Sequence, residues 1–273
     1  MQYQHLIDAH CHIYPDPIAR KAVGGISHFY GDLPFDTYDG TQHRLVESAS
    51  AAGVDHNIVF SVATTPHQVH SINTYIANEQ LASGGRFTGL GTLHLDSEDQ
   101  EADLDEIEAL GLHGVKLHPD IQNFKIDEPR AMEIFAMCED RGLPIYVHTG
   151  DKRYDNSNPN RVKNVLEAFP KLKFVGPHLG GWSVWEEAAK VLPKYDNIIV
   201  DTSSSLYELD PDTARDIIRA YGSERVMFGT DYPMWPVTKE LEHMEALGLT
   251  DEEYENIYWK TCAKLIDIRF PGE

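Results

Sequence analysis

The sequence predicts an α/β fold of one closed sheet, a single (β/α)8 barrel with an extra C-terminal helix, and three observations carry it. Eight short apolar, β-branched runs recur along the chain, most of them near-continuous, as parallel strands covered on both faces read. Helix-like segments separate them. From the third run onward, successive starts fall about 25 to 30 residues apart, the length of one strand-helix crossover.

In order, the runs are HLIDAHCH (5–12), HNIVFSV (56–62), FTGLGTLH (87–94), HGVKLHP (113–119), LPIYVHTG (143–150), LKFVGPH (172–178), NIIVDTS (197–203) and RVMFGTDYP (225–233). The intervening helices are expected over 44–53, 66–83, 98–110, 127–141, 160–169, 181–192 and 210–221, with 237–247 and 251–267 after the last strand. Ser97 and the acids behind it suit the positive end of a helix dipole, and Gly142 suits a helix C-terminus that turns left-handed. An open doubly wound sheet is the competing topology. No GxGxxG-type turn follows the first strand, and eight even units close more naturally. No linker or low-complexity stretch divides residues 1–273, which read as one domain. The excess is residues 13–43, a long Gly- and Pro-containing connection of the kind that serves as a lid.

Composition narrows the function. The chain has 273 residues with 44 Asp and Glu against 23 Lys and Arg, a formal charge of −21 that repels nucleic acid and anionic membrane. Three cysteines without a CxxC pair argue against a disulfide framework, and neither a secretory leader nor a membrane-length apolar run is apparent. A soluble cytoplasmic protein acting on a small molecule is the expectation.

The polar residues gather at strand ends, where the loops of a barrel form its concave mouth. The first strand places Asp8, His10 and His12 on one face by period-2 alternation, with Cys11 on the other as a small core residue. The third strand ends in His94, the fourth carries Lys116 and His118, and the fifth through eighth end in His148, His178, Asp201 and Asp231. Any one of these is more often a satisfied structural residue, but so many at one end is not a chance pattern. A divalent ion satisfies paired imidazoles at once. His94 and Asp201 are read as residues that orient ligands or serve structure. His67 and His70 read as solvated, and Ser203, Ser204 and Ser205 lack the GxSxG setting of a nucleophile. Tyr14, Trp182 and Trp235 follow these strands closely enough to wall a pocket.

In that order, DAHCH, GVKLHP, YVHTG, PHLGG and FGTDYP resemble the amidohydrolase superfamily, closest to its amidohydrolase-2 branch of metal-dependent hydrolases and decarboxylases similar to aminocarboxymuconate-semialdehyde decarboxylase. The resemblance spans about residues 6–235. It implies one divalent ion, zinc first with manganese or iron as alternatives, held by His10, His12, His148 and Asp231. It makes His178 and Asp231 catalytic; by their places at the strand ends, Lys116, with His118 beside it, is read as a cation for an anionic substrate and Trp182 and Tyr14 as substrate-binding walls. Pro177 departs from the acidic or small residue frequent before that histidine. A carbamate on Lys116 would instead make the site binuclear, with His178 a ligand of the second ion. Hydrolysis of an ester, lactone or amide by metal-activated water is the expected chemistry, favoured because the chain is compact. Non-oxidative decarboxylation on the same site is the alternative, a metal-stabilised barrel without turnover is a third reading, and a homodimer is the implied assembly.

Overall fold

A computed structural model describes residues 3–33 and 38–270. Its parallel strands follow the expected runs: Ile7–His12, His56–Phe60, Phe87–Gly89 continued by Gly91–Thr92, Val115–Leu117, Ile145–Val147, Phe174–Gly176, Ile198–Asp201 and Val226–Met227. The third strand is interrupted at Leu90. The break is bridged by backbone bonds from Leu90 N to Val59 O and from Gly91 N to Gly114 O. The last strand returns to the first through Ala9 N to Phe228 O and the Cys11–Tyr232 bridge, which closes the barrel.

Although almost every strand residue is buried, the alternation of faces survives in the packing. Val115, Leu117, Ile145, Val147, Ile198 and Val200 pack outward against the helices. Ile7, Ala9, Ile58, Phe60, Leu90, Tyr146, Val175 and Met227 point inward and form a second core. Lys116 and Asp201 fall on the inward phase of their strands, so the barrel's upper interior is polar where its lower interior is apolar. The helix that begins at Asp251 runs through a π turn at Asn256–Lys260 into Thr261–Ile266 and closes the lower end with Trp259, Cys262, Leu265 and Ile266.

Three local expectations are corrected. The first strand does not keep Asp8 in phase with the histidines. A β-bulge between Asp8 and Cys11 inserts one residue, so Asp8 turns to Thr230, whose backbone N–H and hydroxyl both donate to it, while His10 and His12 face the mouth. Cys11 is buried in the outer core. The helix expected to open at Ser97 begins at Gln100, because Asp99 caps it by accepting from Ala102 N, whereas Gly142 ends its helix left-handed as expected. Within the long connection 13–43, Asp16–Phe29 is a helix started by Pro17; residues 34–37 of that connection lie outside the described residues.

Trp259 stands between the inner core and the His5–Phe270 stack. Truncating it by Trp259→Ala should cost roughly 3–5 kcal/mol by opening the barrel floor, read as a lowered urea midpoint. An unchanged midpoint would mean that the helix does not seal the barrel.

Candidate active site

At the mouth, hydrogen bonds to pure acceptors fix which imidazole nitrogens carry protons. His10 Nδ1 lies 2.8 Å from Asp201 Oδ2, and because a carboxylate only accepts, His10 donates there and leaves Nε2 bare. His178 Nδ1 lies 3.0 Å from the Ser203 carbonyl and donates to it, which bares Nε2. His148 Nε2 donates to the Gly150 carbonyl at 3.1 Å, which bares Nδ1. Burial holds His10, His12 and His148 well below the usual histidine range and His178 at about 4, so these rings are neutral near pH 7.

The nitrogens bared on His10, His148 and His178 face other acceptors or one another. His10 Nε2 lies 3.3 Å from Asp231 Oδ1, and His12 Nε2 lies 3.5 Å from the same oxygen. His12 Nδ1 is buried and finds no hydrogen-bond partner among the described residues. His148 Nδ1 and His178 Nε2 meet at 3.0 Å, lone pair toward lone pair. Such a set is unfavourable unless a cation or proton lies within it. In this structure Lys116 partly meets that need, its ammonium 3.3 Å from His10 Nε2 and over the Phe60 ring. Burial pushes the Lys116 ammonium down to about 8, against the pull of Asp231 and Asp201.

The ligand atoms of His10, His12 and Asp231 lie within 4.8 Å of one another, so these three could hold one ion together. His148, expected as the fourth ligand, is outside that set and approaches it through His178. It is grouped instead with His118 and Asp120. That second cluster is a weak cation site, because His148 Nε2 is already committed to a carbonyl and His118 Nδ1 accepts from Ile121 N. Asp120 there keeps one oxygen unpartnered, and burial pushes its carboxyl up to about 7.

Of the supports, Asp201 is one that the sequence suggested, while the parts of Ser203, Ser204 and Trp235 were not legible there. Asp201 accepts from His10, from Ser203 N and hydroxyl, and from His178 N. Trp235 Nε1 donates to Ser204, whose hydroxyl donates to Asp231 Oδ2. The serine run thus orients acids rather than supplying a nucleophile. His178, Leu179, Ser204 and Asp231 all hold left-handed backbone, a strain that collects at functional sites. The His94 ring accepts from Asp96 N in its own turn, while His67 and His70 are exposed.

Beside the histidines lies a small, partly open cleft lined by Tyr30, Leu33, His148, His178, Trp182, Ser204, Tyr207, Asp231, Met234 and Trp235. Trp182 and Trp235 wall it as expected. Tyr14 is packed behind it with Val23 and Met234, and Lys116 and His118 are buried outside the lining. Tyr30 and Leu33 come from the connection 13–43, which therefore covers part of the mouth. Its attachment is Arg153, bidentate to buried Asp151, donating to Phe29 O at 2.7 Å and ringed by Phe29, Tyr30, Tyr154 and Trp182. Nothing in the sequence marked Arg153 as an attachment, because Phe29, whose carbonyl it holds, lies 124 positions away.

Together these features define a barrel enzyme with a histidine- and carboxylate-lined mouth. A model of the amidohydrolase family matches residues 7–268, and the chain belongs to that family, in its amidohydrolase-2 branch. A 2-amino-3-carboxymuconate-6-semialdehyde decarboxylase of Caenorhabditis elegans is 32% identical over 178 residues, 49% of this chain and 42% of that protein. The match thus spans less than half the length of that relative. An uncharacterized TIM-barrel protein of Bordetella bronchiseptica superposes with a TM-score of 0.81 at 23% identity, covering 96% of this chain and 98% of its own. A 5-carboxyvanillate decarboxylase of Novosphingobium aromaticivorans, complexed with manganese and 4-hydroxy-3-methoxy-5-nitrobenzoic acid, gives 0.76 at 15% identity, with 97% and 96% covered. These likenesses show the (β/α)8 fold. Among the described residues, no helix is long and apolar enough to cross a membrane.

Replacing Arg153 by Ala removes the guanidinium that joins the helix Asp16–Phe29 to the fifth-strand loop. Chymotrypsin cleavage near Phe29 and Tyr30 should quicken by roughly tenfold, since local opening loses a charged clamp. An unchanged cleavage rate with intact folding would show that the segment is held by its apolar contacts alone.

Proposed function

We propose that this chain is a metal-dependent, non-oxidative decarboxylase of a small, flat, conjugated carboxylate. The observation that carries the reading is the cleft: four aromatic rings, of Tyr30, Trp182, Tyr207 and Trp235, line it beside His178 and Asp231, a setting for a flat, conjugated molecule. The names of two similar proteins support it, both decarboxylases of conjugated carboxylates. The compactness that favours a hydrolase in the sequence reading loses its weight here, because the Novosphingobium decarboxylase is matched over 96% of its own chain.

The donor set fits a divalent ion: neutral imidazoles with bare nitrogens, a carboxylate facing them, and a histidine nitrogen without a partner. His10, His12 and Asp231 would hold it, with His148 Nδ1 the next donor by position. Borderline nitrogen and carboxylate ligands accommodate zinc or manganese. When bound, the ion supplies positive charge that fixes the substrate's carboxylate or a neighbouring oxygen and draws electron density from it.

The remaining steps belong to the chain's own residues. Trp182 and Trp235 clamp the ring faces and exclude water. A proton taken up by the Asp231 carboxylate, whose Oδ2 accepts from the Ser204 hydroxyl, passes to the ring carbon that bears the carboxylate. The bond from that carbon to the carboxyl carbon then breaks, its electron pair returns to the ring, and carbon dioxide leaves. His178, whose Nδ1–H stays on the Ser203 carbonyl, exchanges protons at Nε2 and steadies the charge that develops beside it.

Carbon dioxide release should be detected from a panel of hydroxybenzoates and conjugated dienoates, without cleavage of their esters, lactones or amides. Ester or lactone cleavage without carbon dioxide would instead establish the hydrolase. On a substrate so found, His178→Ala should keep its metal and lose at least about a hundredfold in kcat, whereas His148→Ala should lose metal and activity together. Loss of one of two ions in His178→Ala, with a carbamate on Lys116, would replace the mononuclear assignment by the binuclear one.

A further inference from the structure

Tyr30 caps the helix Asp16–Phe29 and enters the cleft with its ring edge-on to Trp182 at 5.0 Å. Its hydroxyl lies 3.1 Å from His118 Nε2. The direction of that bond follows from the far side of the imidazole. His118 Nδ1 accepts from Ile121 N at the start of the helix Pro119–Gln122, so the ring proton resides on Nε2 and is given to the Tyr30 oxygen. A phenol that accepts from His118 keeps its own hydrogen to donate, and the open direction is the cleft. His118 is itself held in place by stacking on His148, with centroids 4.0 Å apart and planes at 7°. The Arg153 guanidinium lies 5.1 Å from the Tyr30 ring centroid and helps to hold the phenol at the cleft.

We infer that Tyr30 is a substrate-binding residue that donates its phenol hydrogen to an oxyanion of the bound molecule, a carboxylate or phenolate oxygen, and that His118 is its positioning residue. The inference rests on the reading of the cleft as a site for conjugated carboxylates. It moves His118 from direct contact with substrate, as the sequence suggests, to a role carried through Tyr30. It also gives the connection 13–43 a chemical part in recognition, since the donor rides on the segment that covers the mouth. A hydrogen bond to a charged acceptor is among the stronger ones, so its loss is measurable.

The test uses the manganese-loaded full chain and the probe 4-hydroxy-3-methoxy-5-nitrobenzoate, titrated by calorimetry, with ion content measured for every variant. Tyr30→Phe keeps the ring and should weaken probe binding by about tenfold to a hundredfold, the range for a bond to a charged group, with ion content unchanged. His118→Asn keeps a short acceptor for the helix cap but removes the Nε2 donor, and should weaken binding less. The double variant should bind no worse than Tyr30→Phe, because one residue acts through the other. Equal probe affinity in wild type and Tyr30→Phe would overturn the inference and leave the carboxylate reading intact. Additive losses in the double variant would overturn the positioning role of His118. A wild type that loads manganese but does not bind the probe would overturn both the inference and the carboxylate reading.

Discussion

The hydrogen bond from His10 Nδ1 to Asp201 is the constraint on which the mouth of this barrel depends. It settles the tautomer of a fully buried imidazole and turns the ring's bare nitrogen toward Asp231. The carbonyls of Gly150 and Ser203 do the same for His148 and His178. The outcome is a group of acceptors gathered in a space from which water is largely excluded, an arrangement that costs free energy until positive charge enters it. Lys116, the inward residue of the fourth strand, supplies some of that charge from below.

The barrel makes this arrangement affordable by dividing its interior. Inward positions low in the strands carry Ile7, Ile58, Tyr146, Val175 and Met227, sealed by the C-terminal helix. Inward positions one layer higher carry His10, Lys116 and Asp201. The bulge between Asp8 and Cys11 is what places His10 and His12 in that upper layer while Asp8 ties the first strand to Thr230 of the eighth. The strand pairing that closes the sheet and the geometry that gathers the ligands are therefore set by the same few residues. Left-handed backbone at His178, Ser204 and Asp231 is borne by this surrounding structure.

Much of this was legible in the chain because barrel strands announce themselves by apolar runs and end in the residues that matter. The motifs of the first, fifth, sixth and eighth strands pointed to His10, His12, His148, His178 and Asp231, and the structure brings these side chains to one end. Alternation alone misassigned Asp8, since a bulge leaves no mark in composition. The helix Asp16–Phe29 was hidden by Gly24 and Gly25, which stand in open space and weaken a helical pattern without preventing it. Tyr30, Arg153 and Asp151 escaped notice for a different reason. Their roles arise from contacts between the first-strand connection and the fifth-strand loop, and no local pattern encodes a meeting of residues about 120 positions apart. Chain length does not separate hydrolysis from decarboxylation, because a decarboxylase structure of this fold is matched over 96% of its own chain.

The central claim is that the facing acceptors of His10, His12, His148 and Asp231 are a divalent-ion site. Diffraction from crystals grown with manganese, with an anomalous difference map at the manganese absorption edge, tests it most directly. The account predicts one strong peak per chain bonded to His10, His12 and Asp231, with His148 Nδ1 turned onto it and His178 beside it. A map without a peak at the mouth, or with the peak held by His118 and Asp120 instead, would contradict it.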